Sequence, residues 1–455
     1  MTSEPLPPYF NLSPDKALAA LMPVADTGSF GRLAGACRTP PDDLGQAPAE
    51  QGTPPLRLFS TWEIARYLIP VAPAHFRRVL RQNPDLPQGL SDTEGGAKWF
   101  ALDEVLRLRA FFAAEGSKAK NYLPYRPAGL PARIVAVANA RAGTGKTTTC
   151  AHLAMSAALD GYRVLVIDLD PQAAVTGLFG GQVADERGTV FPLLARHHGA
   201  YLRVENQRRL DRGDPPVALD DMLTGALKVT AGDVIRPTRW PNIDLIGADL
   251  GLCRAEFQIP LWRMQARGWK PWESLSGILS ADGVLDRYDL ILLDTPPSLG
   301  QLTVAGLAAA DILLVPLGAS LADLEATGRF FDMLHSTFGL IEEGENVAAR
   351  ALGRPELAFE WDAVQAVITR HDPARQAGVA ALIQTRLGRS LSPHRQDFTP
   401  LIGQAGAGAV YEADYRDFNR ETYARGRATF DETWAGLKEL LYGLWRRDEL
   451  AAKTP

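Results

Sequence analysis

Apolar residues follow one another without interruption in several short stretches of the chain, and these stretches predict strands. They are rich in branched residues and lie around Val135, Val166, Leu292, Leu314 and Val367. A continuous apolar run indicates a strand that is buried on both faces, as in a parallel sheet covered by helices. Helical segments follow the first run and occupy residues 302–310. We therefore predict an α/β fold with a mostly parallel sheet flanked by helices.

The first part of the chain has a different pattern. Residues 1–55 are rich in Pro, Gly, Ala and Asp, which predicts a loosely ordered tail. Ser60 with Glu63 three residues later forms a capping box that opens a short helix. After a turn at 69–72, a second helix is predicted over 73–82.

This pair of helices matches the helix-turn-helix plan, in which the second helix enters the major groove of DNA. Residues 89–99 would form a small wing and residues 103–114 a closing helix. The side chains available to DNA are polar or basic and belong to the second helix: His75, Arg77, Arg78, Arg81 and Gln82. Basic amphipathic helices are also common on ordinary solvated surfaces, so the pattern alone leaves that alternative open.

The length of 455 residues indicates more than one domain. We predict the tail at 1–55, a helix-turn-helix domain with its linker at 56–127, and the α/β domain at 128–450. The last domain carries an insertion at about 176–287. Its four tryptophans would serve either the core or an interface: Trp240, Trp262, Trp269 and Trp272.

Composition excludes several classes of protein. The net charge of −5 is ordinary, so any contact with DNA must be local. Three widely spaced cysteines without a CxxC pair argue against disulfides and structural zinc. No signal peptide or long apolar span is recognisable, and we expect a soluble cytoplasmic protein.

The segment after the first strand carries the most specific chemistry. Gly-Thr-Gly-Lys-Thr-Thr at 143–148, between a strand and a helix, is typical of a loop that cradles the phosphates of ATP or GTP. Lys146 would place its charge at the β- and γ-phosphates, and the Thr147 hydroxyl would ligate Mg²⁺. The candidate phosphate-binding residues are consecutive: Ala142, Gly143, Thr144, Gly145, Lys146, Thr147 and Thr148.

Carboxylates follow two of the predicted strands. Asp168 and Asp170 come at the end of one, and Asp294 ends another. Open α/β sheets bind ligands at the carboxyl ends of their strands, so we expect these side chains beside the phosphate loop. A single aspartate there is usually a turn former, but three after a phosphate loop indicate a nucleotide site.

The loop resembles the deviant P-loop of the ParA/MinD ATPases, with Arg141 at the position of the signature lysine and Ala142 in place of a glycine. The resemblance implies an ATP-sandwich dimer in which Arg141 reaches the partner's nucleotide. It also implies that Asp170 positions the attacking water, and that Asp168 and Asp294 support Mg²⁺. The candidates for adenine binding are weaker and lie at strand ends: Pro316, Thr369 and Arg370.

A helix-turn-helix before such a loop is similar to the RepA proteins of RepABC plasmids, and the stretch Tyr411–Tyr415 looks like the region before the last helix of RepA sequences. The resemblance implies a plasmid partition ATPase that forms a homodimer on binding ATP. It would bind a specific operator and, nonspecifically, nucleoid DNA, and would repress its own operon. A ParB/RepB-like centromere-binding protein would stimulate hydrolysis, and no membrane partner is expected.

Two other functions remain open at this point. A nucleotide-gated repressor would use the same sites with incidental hydrolysis. A MinD-like membrane ATPase is suggested by an apolar stripe between Trp434 and Trp445, although such a stripe is more often a helix docked on its own core. The C-terminal third also contains arginines suited to a phosphate-binding face: Arg386, Arg389, Arg395, Arg416, Arg420, Arg425 and Arg427.

Overall fold

A seven-stranded sheet organises the chain. The structure is a computed structural model that describes residues 55–91, 96–115, 122–181, 183, 185–404 and 409–453. The strands are β1 Phe59–Ser60, β2 Trp99–Phe100, β3 Arg133–Val137, β4 Val164–Asp168, β5 Arg236–Pro237, β6 Ile243–Ile246, β7 Leu290–Asp294, β8 Ile312–Gly318 and β9 Ala363–Thr369. In the seven-stranded sheet they lie in the order β5-β6-β4-β7-β3-β8-β9.

Helices lie on both faces of this sheet and in the N-terminal segment. They are α1 Thr61–Glu63, α2 Pro73–Gln82, α3 Leu102–Glu115, α4 Lys146–Leu159, α5 Ala174–Leu178, α6 Phe191–Asp211, α7 Asp221–Ala226, α8 Ala231–Val234, α9 Arg254–Gln265, α10 Ser274–Ala281, α11 Val284–Arg287, α12 Gln301–Ala309, α13 Leu321–Ala351, α14 Pro373–Leu387, α15 Leu401–Gln404 and α16 Arg420–Lys453.

The sheet is parallel except at one edge, where β5 runs antiparallel to β6. Every residue of β3, β4 and β7 is buried, as their apolar runs predict. In register, Asp294 pairs with both Val137 and Asp168, so the ends of these three strands meet at one edge. The predicted parallel α/β fold is confirmed, and its carboxyl edge brings the phosphate loop to two of the aspartates.

The insertion at about 176–287 is part of the fold rather than an addition to it. It supplies β6, which pairs in parallel with β4, and β5 beside it. Its four tryptophans are all buried, which confirms that they belong to the core. The sequence pattern did not reveal these two strands, because β6 has only four residues and includes the polar Asp244.

The N-terminal segment has the helices that the sequence predicts. Ser60 and Glu63 form the capping box, and α1 continues as a π-helix over Ile64–Leu68. In α2, Phe76, Val79 and Leu80 are buried. β1 pairs antiparallel with β2, and Leu90 forms a bridge with Trp99 at the predicted wing. The tip of that wing, residues 92–95, and all but the last residue of the predicted tail lie outside the described residues.

A buried polar network joins this segment to α16. The Arg57 guanidinium donates to Glu63 at 2.8 Å and to the Tyr423 hydroxyl at 3.0 Å. Arg427 donates to Asp431 at 2.9 Å and lies 4.4 Å from the centre of the Tyr67 ring. Arg427 is only 2% exposed, so its assignment to a phosphate-binding face was wrong: this arginine ties two parts of the chain together.

The apolar stripe of α16 is covered by the molecule itself. Trp434, Leu437, Leu441 and Trp445 are buried in the same core cluster as Phe59, Phe76 and Val135. This stripe is therefore not available to a bilayer. None of the described helices has an apolar stretch of the length that a membrane span requires.

Candidate nucleotide-binding site

The phosphate loop connects β3 to α4 and depends on two glycines. Gly143 has a φ of +73° and Gly145 a φ of +86°, a left-handed conformation that side chains disfavour. Gly145 is the N-cap residue of α4, so the helix begins at Lys146. The backbone N–H groups of the first turn thus face the loop, as an anion-binding site at a helix N-terminus requires. Asn139 braces the loop by accepting from the Arg141 N–H at 3.0 Å.

The two basic residues of the loop are held differently. Lys146 is buried, and its ammonium donates to the Arg141 carbonyl at 3.2 Å. Burial lowers the pKa of Lys146, while Asp294 and Asp170 oppose this shift by their negative charge. The Arg141 side chain is 42% exposed and forms an ion pair with Asp323 of α13. Arg141 occupies the signature-lysine position, whose residue is expected to reach across a dimer. In this structure it is instead paired with Asp323 of the same chain.

Thr147 and Asp294 meet at the end of β7. The Thr147 hydroxyl donates to Asp294 Oδ2 at 2.8 Å. The other carboxylate oxygen of Asp294 is fully buried and has no hydrogen-bond partner among the described residues. An orphaned carboxylate oxygen beside a hydroxyl suits a hard cation such as Mg²⁺. The described residues contain no cluster of three His, Cys, Asp or Glu side chains for a metal, so phosphate oxygens and water would complete such a site.

Asp168 has a structural partner. One of its oxygens accepts from the Thr176 hydroxyl at 2.6 Å and from the Thr176 N–H at 3.0 Å, while the other accepts from the Asp170 N–H. Burial raises the pKa of Asp168 and of Asp294. Asp170 is only partly buried and accepts from the Gln172 N–H at 2.9 Å. The hydrogen bond to Gln172 uses one carboxylate oxygen of Asp170, and the second oxygen remains available to a ligand or water.

A cavity of about 150 Å³ opens beside the start of α4. Thr369 and Arg370 line it, together with residues of the segment before α15: Gln396, Asp397, Phe398 and Thr399. The Thr369 hydroxyl donates to the Thr144 carbonyl at 2.7 Å, which fixes the end of β9 against the loop. Arg370 has a φ of +49°, an uncommon conformation for a residue with a side chain.

Pro316 differs from the other two adenine candidates. We predicted it at the end of a strand, but β8 continues to Gly318, so that placement was wrong. Its carbonyl accepts from the Asn139 side chain at 2.9 Å, and Pro316 is not part of the cavity lining. Strand β8 continues past Pro316 although proline has no N–H to donate. Its carbonyl is the group that bonds here.

The candidate DNA-binding residues stand together on α2. His75, Arg77, Arg78, Arg81 and Gln82 are all exposed, and the buried side of the helix faces the N-terminal core. The Arg78 guanidinium lies 2.9 Å from His75 Nδ1. Within the described residues, Arg77 and Arg81 have neither an ion pair nor a side-chain hydrogen bond.

Several residues of the site were not predicted from the sequence. Gln396 accepts from the Thr149 hydroxyl at 2.9 Å across 247 positions of the chain. Asp323 and Thr176 hold Arg141 and Asp168, respectively. Only Asn139, directly before the loop, lies where inspection of the motif would have found it.

Comparison with known proteins agrees with this geometry. Residues 132–337 match a family model described as an AAA domain. The chain is 30% identical over 403 residues to a "Putative replication protein A" of Sinorhizobium fredii, covering 86% of this chain and 88% of that protein. It is 35% identical over 196 residues to the chromosome partitioning protein ParA of Caulobacter vibrioides, covering 43% and 59%.

A solved structure described as "Partition Protein" has the same fold. It aligns with a TM-score of 0.53 at 19% identity and covers 88% of this chain and 100% of its own. The match to the replication protein extends over most of both chains. The chain therefore belongs to the family of ParA-like partition ATPases.

Proposed function

We propose that this protein is a plasmid partition ATPase. It binds ATP and Mg²⁺, forms a homodimer, binds DNA and hydrolyses ATP to segregate plasmid copies, and it represses its own operon. The observation that carries the proposal is the meeting of Thr147 with Asp294 at the N-terminus of α4, where one carboxylate oxygen has no partner. Membership of the ParA-like family supports the same activity.

We refer to the phosphate loop, residues 141–148, together with Asp168, Asp170 and Asp294 as the phosphate edge, and its charged residues each have a role in this proposal. Lys146 neutralises the β- and γ-phosphates, and Thr147 and Asp294 hold Mg²⁺, with Asp168 supporting its shell. Bound Mg²⁺ would supply positive charge against the phosphate oxygens. Asp170 orients the attacking water through the oxygen that its turn leaves free.

The cavity beside α4 would hold the adenine ring. Thr369 and Arg370 form one side of it. Gln396 Nε2 is buried without a hydrogen-bond partner among the described residues, so a donor is available to a base edge. The volume of about 150 Å³ leaves room for a planar base.

Dimerisation would require Arg141 to leave Asp323 and turn to the partner's nucleotide. The Arg141 side chain is 42% exposed, and Asp323, which is 10% exposed, would keep the Ser320 hydroxyl as a hydrogen-bond donor after Arg141 leaves. Arginine also binds phosphate oxygens through two N–H groups at once. The intrachain pair is thus compatible with exchange between two positions.

For DNA, we propose that α2 reads the operator in the major groove. Its exposed side chains offer guanidinium groups and an amide for base edges. Nonspecific binding to nucleoid DNA would use exposed C-terminal arginines such as Arg386 and Arg389.

The test is the ATPase rate of the purified chain alone, with duplex DNA, and with DNA plus the product of the adjacent gene, which we propose to be the ParB-like partner. A partition ATPase hydrolyses slowly alone and faster with both additions. A slow rate that neither addition changes, with operator binding that depends on nucleotide, would identify a nucleotide-gated repressor. Failure to bind ATP at all would overturn both functions.

A further inference from the structure

An apolar groove lies between α9 and α13, with α12 as its floor. Its volume is about 440 Å³, and its lining includes Pro260, Trp272, Leu299, Val304, Leu340 and Ile341. None of these residues belongs to the phosphate edge or to α2. We refer to this feature as the α9–α13 groove.

Exposed apolar side chains also lie on the two helices that line the groove. On α9, Phe257 is 76%, Leu261 51% and Met264 74% exposed. On α13, Met333, Leu340 and Val347 are 40%, 70% and 62% exposed and recur every seven residues. Residues spaced by three, four and seven lie along one side of a helix, so each helix presents an apolar ridge to solvent. Two ridges beside a groove form a larger apolar surface than scattered single residues would.

We propose that the α9–α13 groove binds an amphipathic helix of the partner protein that stimulates ATP hydrolysis. This inference rests on the proposed function. A helix that lays its apolar face between two ridges is a common mode of recognition, with anchors spaced by three, four and seven residues. Unpaired charged side chains beside the groove indicate which charges the bound helix should carry.

The charges beside the two ridges differ in sign. Arg267, just after α9, is exposed and has no ion pair in the described part of the chain. Asp332 and Glu343 on the outer flank of α13 are likewise exposed and unpaired there. The partner helix should therefore carry a carboxylate on the side facing α9 and lysine or arginine on the side facing α13.

Both helices that border the groove contact loops of the phosphate edge. Glu256 of α9 accepts from the Gln301 N–H at 2.6 Å and the Leu302 N–H at 3.1 Å, at the start of α12, which follows the strand ending in Asp294. Asp323, near the start of α13, holds Arg141 of the phosphate loop. A helix bound between α9 and α13 would therefore act on both loops at once, which gives it a physical route to the hydrolysis rate.

The experiment compares three single variants of the full chain: Phe257→Glu, Leu340→Glu, and the control Val204→Glu on α6, where Val204 is 54% exposed. The probe is the purified ParB-like partner, titrated into the ATPase assay with DNA. We expect the first two variants to keep the basal rate within about twofold and to need roughly tenfold more partner for half-maximal stimulation. The control should respond as the wild type does.

Charge provides a second, milder variant that cannot perturb packing. Arg267→Glu should raise the partner concentration for half-maximal stimulation by about threefold, and the effect should shrink as salt rises. If a ridge variant does not fold, the response of Arg267→Glu to the partner tests whether the groove is the docking site.

Three results would overturn the inference. Stimulation of both ridge variants at wild-type partner concentrations would exclude the groove as the docking site. A change in their sedimentation velocity without partner would instead make the groove an interface between two copies of this chain. If the wild type itself hydrolyses ATP but does not respond to the partner, the proposed partition function fails first, and this inference fails with it.

Discussion

At the phosphate edge, charged side chains are buried and hydrogen-bonded to backbone and hydroxyl groups of the protein, whereas on α2 they project into solvent. Lys146, Asp168 and Asp294 are all less than 10% exposed, and burial shifts their pKa values, downward for Lys146 and upward for the two aspartates. Arg77 and Arg81 are exposed and have no partner within the described chain. Preorganised charges suit the chemistry of one ligand, because the protein has already removed their water. Exposed, unpaired arginines suit a long polyanion such as DNA, whose phosphates would pair with them.

If this contrast is correct, the largest effect should follow from removing the buried ammonium. Lys146→Ala should weaken ATP binding by about a hundredfold, since a hydrogen bond to a charged group is worth up to roughly 3 kcal/mol. Isothermal titration with ATP and Mg²⁺ measures this, and Lys228→Ala, at an exposed lysine, is the control. Equal affinity in Lys146→Ala and wild type would remove the phosphate loop assignment.

The next largest effect concerns Asp170, which is less buried than its neighbours. Asp170→Ala should bind ATP within a few-fold of wild type and hydrolyse it about a hundredfold more slowly, since a positioned base contributes roughly 10²–10⁴ in rate. Single-turnover hydrolysis separates the two steps. A rate that stays close to wild type would leave Asp170 as the residue that accepts from Gln172 and nothing more.

A third prediction uses pH to probe the buried side of the contrast. Burial lowers the pKa of His152 to about 4, and its two nitrogens bond the Thr148 carbonyl and the Val410 N–H. The unfolded chain takes up the proton near pH 6.5, so the contribution to stability is present above that pH and is lost as pH falls toward 4. Between pH 7 and 5 the loss should be about 2 kcal/mol from this residue.

Urea unfolding at the two pH values, for wild type and His152→Gln, measures this contribution. The variant should lose less free energy of unfolding between pH 7 and 5. His198, whose pKa burial also lowers to about 4, titrates in both proteins and cancels in the comparison. Identical pH dependence of the two proteins would show that burial does not lower the pKa of His152.

The smallest effect should come from the exposed helix. Arg77→Ala with Arg78→Ala should lower the ratio of operator to random-duplex affinity by about tenfold, since a good bidentate base contact is worth roughly 1–3 kcal/mol. Fluorescence anisotropy with both duplexes gives this ratio, with Arg208→Ala on α6 as the control. Equal losses on both duplexes would make α2 a phosphate-binding surface and not a recognition helix.

The two regions also differ in how far the sequence predicted them. Gly145, Lys146 and the aspartates lie within short motifs, because a backbone that surrounds phosphates needs particular residues at fixed spacing. The capping box of Ser60 and the buried face of α2 were equally local, and the structure confirms them. What remained hidden was pairing over long distances.

Those hidden pairs have a common cause. Gln396 reaches Thr149, and Asp323 reaches Arg141, only after the sheet has brought distant segments together. Nothing in the local pattern around either residue encodes its partner. The same holds for Arg427, which looked like a surface charge because α16 has acidic and basic residues on every side, but which lies against Tyr67 and Tyr423.

That position of Arg427 restricts how such a protein can change during evolution. A fragment beginning at residue 128 would lack Tyr67 and Glu63, leaving a guanidinium and the Tyr423 hydroxyl facing an open apolar surface. The N-terminal segment is therefore not a cassette that recombination can replace while α16 stays the same. In the operator-binding role that we propose for α2, new DNA preferences would arise more easily by point substitution on its outer side, where the exposed residues are not part of the common core.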